Sequence, residues 1–136
     1  MYKLIEIDEA MMTRDIKLKN LKTGVLEICF DDSGLFSDDC NFEFMEIGKE
    51  YDCKILLFGN RLEETTENLM VKYKVNREVC IGKRKFLEVE RDGNIYYLNE
   101  GNIHDEHVYY AFTRKDIIQV SDIIHYDLLR DRYENI

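Results

Sequence analysis

At 136 residues the chain has the size of one ordinary domain, long enough to bury a core without metal or disulfide support. Its 45% hydrophobic content excludes a disordered polymer, and its 35% charged residues, against roughly 25% in an average domain, imply a heavily charged surface. The formal net charge of −9 repels polyanions at long range.

No apolar run approaches the roughly 20 residues a membrane span requires. Glu6, Asp8 and Glu9 interrupt the N-terminus where a signal peptide keeps an unbroken apolar stretch, so a cytoplasmic protein with no membrane association is expected. Proline and tryptophan are absent while Ile, Lys, Asn, Tyr and Glu abound, the codon signature of an AT-rich bacterial or phage genome.

In chain order, the dominant periodicity is two. Tyr2 to Met11 mixes apolar and acidic residues as an opening strand. Asp15 to Lys19 and Leu26 to Phe30 each alternate apolar with charged positions, and the short Asn20-Leu21-Lys22-Thr23-Gly24 between them is a hairpin connection. Asp31 to Asn41 is the longest irregular piece. A strand over Glu50 to Phe58 is followed by Gly59-Asn60 as a stop. Arg61 to Leu69 could form two helical turns. Val71 to Val75 alternates as a strand, and Phe86 to Arg91 and Ile95 to Leu98 flank Asp92-Gly93-Asn94, the strongest turn signal in the chain. Val108 to Thr113 and Ile117 to Val120 complete the strands. Ser121 or Asp122 then caps a short C-terminal helix in which Ile124 and Leu128 repeat at four, with Arg130 and Arg132 in its last turn.

About seven short strands at this spacing indicate a single domain over 1–136, mostly β with minor α. The expected architecture is a small antiparallel barrel, OB-like or SH3-like, with a short C-terminal helix. Folds of that kind host unrelated functions, so the site must be argued from side chains.

The cysteines, Cys29, Cys40, Cys53 and Cys80, lack the spacing of a zinc site. Cys29 and Cys53 lie in apolar runs and read as buried, whereas Cys40, in a polar loop, reads as the more exposed. Tyr96-Tyr97 and Tyr109-Tyr110 place one ring on each sheet face, which makes an outward Tyr96 or Tyr109 a candidate contact.

Charge is unevenly distributed. Residues 70–91 carry seven basic and three acidic side chains inside an acidic protein. Lys72, Lys74, Arg77, Lys83, Arg84 and Lys85 are the candidates for a phosphate or nucleic-acid contact. On a strand Lys72 and Lys74 share a face and Tyr73 takes the other, which separates the ring from the cations. Lysines on a strand edge also serve simply to block aggregation.

The loop Asp31-Asp32-Ser33-Gly34-Leu35-Phe36-Ser37-Asp38-Asp39 gathers four carboxylates around two apolar side chains. It lacks the ligand spacing of an EF-hand loop. It suits a basic protein partner instead, with Phe36 as anchor and Asp31, Asp32, Asp38 and Asp39 steering the encounter. His104-Asp105-Glu106-His107 spaces its imidazoles three apart and would ligate metal only as a helical turn, without the zincin spacing. No nucleophile elbow, phosphate loop or dinucleotide fingerprint is present.

The expectation is a non-enzymatic protein-binding module, inhibitor or immunity-like, without a cofactor, using Asp31, Asp32, Phe36, Asp38 and Asp39 against a basic partner such as a nuclease. The alternatives are a nucleic-acid-binding OB-like barrel using the segment 70–91, and a small metal-dependent enzyme centred on His104 and His107.

Overall fold

The computed structural model describes residues 1–63, 69–99 and 102–130. Its strands are β1 (Tyr2–Glu9), β2 (Arg14–Asn20), β3 (Leu26–Asp31), β4 (Glu50–Tyr51), β5 (Cys53–Arg61), β6 (Lys72–Ile81), β7 (Arg84–Arg91), β8 (Asn94–Leu98), β9 (His107–Val120) and β10 (Ile123–Ile124). Among the described residues helix is confined to a single α turn, α1 (Ser33–Phe36), and two 3-10 turns, Leu69–Val71 and Tyr126–Leu128. The protein is therefore mostly β, as its period-two patterning implies. Among the described residues no helix is long and apolar enough to cross a membrane.

β9 organises the fold. It pairs antiparallel with β5 from Cys53↔Val120 to Arg61↔Tyr110, and its first residues pair with β6. β6, β7 and β8 form an antiparallel meander, and β8 meets β5 in parallel at Leu56↔Tyr97. These contacts close β5 to β9 into a ring. The β1–β2–β3 meander joins it through one parallel bridge, Phe30↔Asp116, and β4 pads the outer edge of β1.

Extra residues in β9 make the closure possible. Ile118 and Thr113 have no opposite residue on β5, and such bulges bend and twist a strand. What sequence divides into two strands, 108–113 and 117–120, is thus one continuous bent strand. Gly59 lies at the second bulge and does not end β5, which runs through Gly59 and Asn60 to Arg61. A Cβ at Gly59 would stand 2.0 Å from the Ala111 carbonyl oxygen. Glycine is required there for close backbone approach, not for a turn. β6 carries a further bulge at Asn76. Before it Tyr73 and Val75 face the ring interior; beyond it Val79 and Ile81 face outward.

Two apolar clusters result. The larger joins the ring interior to the β1–β3 meander through residues such as Leu4, Ile16, Leu18, Ile55, Val89 and Ile117. The smaller lies outside the ring, where Leu56, Ile81, Phe86, Tyr97 and Ile118 are covered by Leu128. Leu128 arrives on a strand and a 3-10 turn rather than on the expected helix. Ser121 adopts φ 52° in a tight turn, and Ile123 and Ile124 pair back onto Val120 and Gln119. The four-residue spacing of Ile124 and Leu128 therefore serves a hairpin followed by a 3-10 turn, and Lys83 N–H donates to the Leu128 carbonyl to fix that end. Arg132 lies outside the described residues, as does most of the helical stretch proposed for 61–69. Arg61 itself is in β5 and Leu69 begins a 3-10 turn.

The turn at Asp92-Gly93 has φ of 52° and 82°, the left-handed pair that a two-residue hairpin demands. Asn94 behind it accepts hydrogen bonds from Asn20 Nδ2 (3.1 Å) and Thr23 Oγ1 (2.6 Å), clamping the two predicted turns together.

Cys29 and Cys53 are buried as expected, and burial pushes the Cys53 thiol up to about 12 and the Cys29 thiol well above its usual value. Neither is a thiolate nucleophile at neutral pH. The exposed cysteine is Cys80; Cys40 is half-buried. Tyr96, Tyr97, Tyr109 and Tyr110 are all buried, so neither Tyr96 nor Tyr109 is an outward contact. Tyr97 does face out of the ring, but it lies within the cluster that Leu128 closes.

Candidate functional site

The acidic loop is built on a buried polar knot. The β2–β3 register places Arg14 opposite Asp31, and Arg14 Nε donates to Asp31 Oδ2 at 2.7 Å while its other nitrogen bonds the Phe42 carbonyl. Ser33, fully buried, donates both N–H (2.9 Å) and Oγ–H (2.6 Å) to Asp31 Oδ1 and accepts from Phe42 N–H (3.0 Å). A buried guanidinium and carboxylate persist only when paired and hydrogen-bonded in this way. Asp31 is consequently an internal anchor and presents nothing to a partner. Phe42 and Met45 drop into the main core behind the knot, which holds the stretch between them and β3 against the body.

Asp32 is half-buried and faces His125, with Nε2 to Oδ1 at 2.7 Å. His125 Nδ1 accepts the Asp127 N–H at 3.1 Å, so the ring proton sits on Nε2 and is donated to Asp32. Both imidazole nitrogens are thereby committed, and no lone pair remains for general-base chemistry. This bond, ahead of a partly opposing desolvation, holds the Asp32 carboxyl below its usual value of 3.8. The stability it contributes is full above about pH 4 and is lost as pH falls through the depressed folded value. Asp32→Ala is expected to lower stability at pH 7 by about 1–3 kcal/mol by orphaning a buried N–H. Urea midpoints measured from pH 7 to pH 3 should show the wild-type advantage shrinking at the acid end; a constant difference would reject the pairing.

Phe36 is part-exposed, its ring edge-on to His125 with centroids 5.1 Å apart. Asp38 and Asp39 are exposed, and among the described residues neither has an ion-pair partner. The loop thus splits into an inner half (Asp31, Ser33), a bonded hinge (Asp32) and an outer half (Leu35, Phe36, Asp38, Asp39).

At Gly34 of this loop the structure opens a notch of about 310 Å³ for which the sequence gives no expectation. Glu9, Met11, Met12, Thr13, Gly34 and Glu43 line it, with the satisfied Arg14–Asp31 pair at its floor. Met11 is 97% exposed and Met12 59%, at the tip of the β1–β2 hairpin where Ala10 N–H closes onto the Thr13 carbonyl. The signal available in sequence was the doublet Met11-Met12 between two charged strands, an apolar tip in a place where turns are polar.

The basic segment is dispersed by the same geometry. Lys72 and Lys74 share a face opposite the buried Tyr73, as read. Arg77, beyond the bulge, contacts Glu88 at 3.3 Å, and Lys85 reaches Glu78 at 3.9 Å. Lys83 is at the β6–β7 tip, and Arg84 is half-buried and donates to the Asp127 carbonyl. The six cations therefore share one hairpin with acids at neighbouring positions rather than forming a continuous track. His104 lies in an exposed loop whose N–H is held by Asn102, and His107 opens β9 opposite Lys74. Among the described residues no group of three or more His, Cys, Asp or Glu side chains is placed to hold a metal ion.

An ion pair between a buried carboxylate and a half-buried lysine also has no local signal in the sequence. Glu27 is 1% exposed and meets Lys115 Nζ at 2.6 Å, while Tyr96 O–H donates to its other oxygen at 2.6 Å. Burial first, and then this bond to Glu27, raises the Tyr96 phenol far above its usual range. With Glu27 turned inward, Leu26 and Ile28 point to solvent.

Compared with protein-family models, with characterised proteins and with solved structures, the chain matches none of them.

Proposed function

We propose that this chain is a non-enzymatic binding module of the cytoplasm, inhibitor or immunity-like, that engages a basic protein through its acidic, methionine-bearing face. The observation that carries the reading is the exposed Met11–Met12 tip beside the notch, which Glu9, Gly34 and Glu43 also line, at the start of the loop segment that continues into the exposed Leu35, Phe36, Asp38 and Asp39. Thioethers and an aromatic edge are adaptable apolar anchors, and carboxylates around them steer a cationic partner and exclude anionic ones. A nuclease is a fitting class of target, because carboxylates can occupy the positions its cations hold for phosphate. We also read the closed ring as a small barrel of the OB-like or SH3-like kind, a rigid frame that sets the loop and hairpin tip side by side. The nucleic-acid alternative has less support, since the cations of 70–91 are interleaved with Glu78, Glu88 and Glu90.

The test is capture from lysate on the immobilised chain, with and without nuclease treatment, followed by stopped-flow association with the captured protein. Asp38→Lys with Asp39→Lys should slow association about tenfold at low salt and flatten its salt dependence. Met11→Asp with Met12→Asp should accelerate dissociation instead. Capture abolished by nuclease, or rates indifferent to both pairs of substitutions, would reject this face.

A further inference from the structure

The outward face of the β1–β3 meander has a composition that the proposed docking face leaves unused. On β3 the outward residues are Leu26 (54% exposed), Ile28 (59% exposed) and the half-buried Phe30. Beyond β3 the apolar surface continues over Phe112, and the Arg114 guanidinium lies over the Phe30 and Phe58 rings at 4.7 and 4.8 Å. A shallow hollow lies between β3 and β9, lined by Asp15, Leu26, Ile28, Phe30 and Phe112. Clustered exposed apolar side chains on a soluble domain mark an interaction surface.

The charges beside this stripe fall into three rows, set by strand register. Lys3, Lys19 and Leu26 form the first row; Glu6, Lys17 and Ile28 the second; Asp8, Asp15 and Phe30 the third. The middle row is neutral within itself, because Lys17 pairs with Glu6 at 3.2 Å. The outer rows are doubly positive and doubly negative, and among the described residues Lys3, Lys19, Asp8 and Asp15 have no ion-pair partner. A face with an apolar column and opposite charge at its two ends is complementary to itself when turned by a half rotation about an axis perpendicular to its strands. That rotation, about an axis in the sheet plane, lays β3 on β3 of the facing copy, Ile28 against Ile28, Leu26 against Phe30, the lysine row against the aspartate row, and the mutually neutralised Lys17 and Glu6 against their own copies. This is the self-matching contact of a two-fold dimer.

We propose that the occupant of this face is a second copy of the chain, docked about that two-fold axis. Sedimentation velocity from low to about 100 µM protein should show a concentration-dependent species of twice the 16.3 kDa chain mass. Ile28→Lys sets an uncompensated cation in the apolar column against its own copy, unlike Lys17, which Glu6 neutralises, and should yield monomer with an unchanged far-UV spectrum. Lys19→Asp should weaken the dimer at least tenfold in Kd, and adding Asp15→Lys should restore it by exchanging the rows. A wild-type monomer across the range overturns the proposal, as does a dimer indifferent to Ile28→Lys. A dimer that Ile28→Lys breaks but the exchanged pair fails to restore overturns the two-fold arrangement. Ile28 and Lys19 lie apart from the Met11–Met12 notch, and Asp15, though next to Arg14, is on the opposite face of β2, so the Ile28→Lys and Lys19→Asp results are independent of the proposed partner binding.

Discussion

Replacing Glu27 by alanine should destabilise the fold by about 3–5 kcal/mol, among the largest effects available from a single side chain. The carboxylate is the counter-charge of Lys115 and the acceptor of the Tyr96 hydroxyl, both at 2.6 Å in the interior. Its loss leaves an uncompensated ammonium where β3 meets β9, strands that share a single backbone bridge, Phe30↔Asp116, among the described residues. The cost lies in breaking the pair, not in lacking it. Glu27→Leu combined with Lys115→Met should recover part of the loss, because an apolar pair of similar volume carries no charge-desolvation penalty, while the buried Tyr96 hydroxyl is left without its acceptor. Urea midpoints at constant slope test both statements. A small effect of Glu27→Ala, or a double variant as unstable as the single, would show that Lys115 swings out to water and that the pair does not secure the junction.

Gly59→Ala should cost about 3 kcal/mol, and lower the melting temperature by about 10 °C. The added methyl would lie 2.0 Å from the Ala111 oxygen and 2.6 Å from the Phe112 Cα. Both are backbone atoms, so relief requires β5 to move away from β9 at the bulge that bends the ring. Gly24→Ala is the control. Its φ is +78° but nothing lies within 4 Å of the added atom, so it should lose only about 1 kcal/mol of left-handed strain. Equal melting temperatures for the two variants would mean that the bulge adjusts freely.

What was legible in the sequence was local. The Asp92-Gly93 turn, the 20–24 connection and the strands beside them follow from turn chemistry and alternation, and Cys29 and Cys53 are buried as their apolar runs imply. What was not legible depended on which face of a strand wins and on what arrives from far away. Leu26-Glu27-Ile28 alternates equally well with either set inward. The register Leu18↔Glu27 and Ile16↔Cys29 decides it, since Leu18 and Ile16 are wholly buried and their opposite residues share that face. Carried one step further, the same register would have matched Arg14 to Asp31 and removed Asp31 from the outward residues. The His125–Asp32 bond spans 93 positions and leaves no local trace. Ile124 and Leu128 show helical spacing, yet the outer cluster needs their side chains on the ring, which the turn at Ser121 supplies.

β9 has a consequence for how the chain reaches this structure. It is the partner of β3, β5, β6 and β10, and its pairings with β5 and β3 join residues from 49 positions apart (Arg61↔Tyr110) to 86 positions apart (Phe30↔Asp116). During synthesis, β1 to β8 emerge before the strand that completes the ring. Until residues beyond 107 clear the ribosome, the edges of β3, β5 and β6 and the apolar faces they border lack their native cover. Loop closure over such distances is slow, because its entropy is lost before long-range contacts repay it. The acidic excess ahead of β9 then has a kinetic use: like-charged nascent chains repel one another while those strand edges wait for their partner.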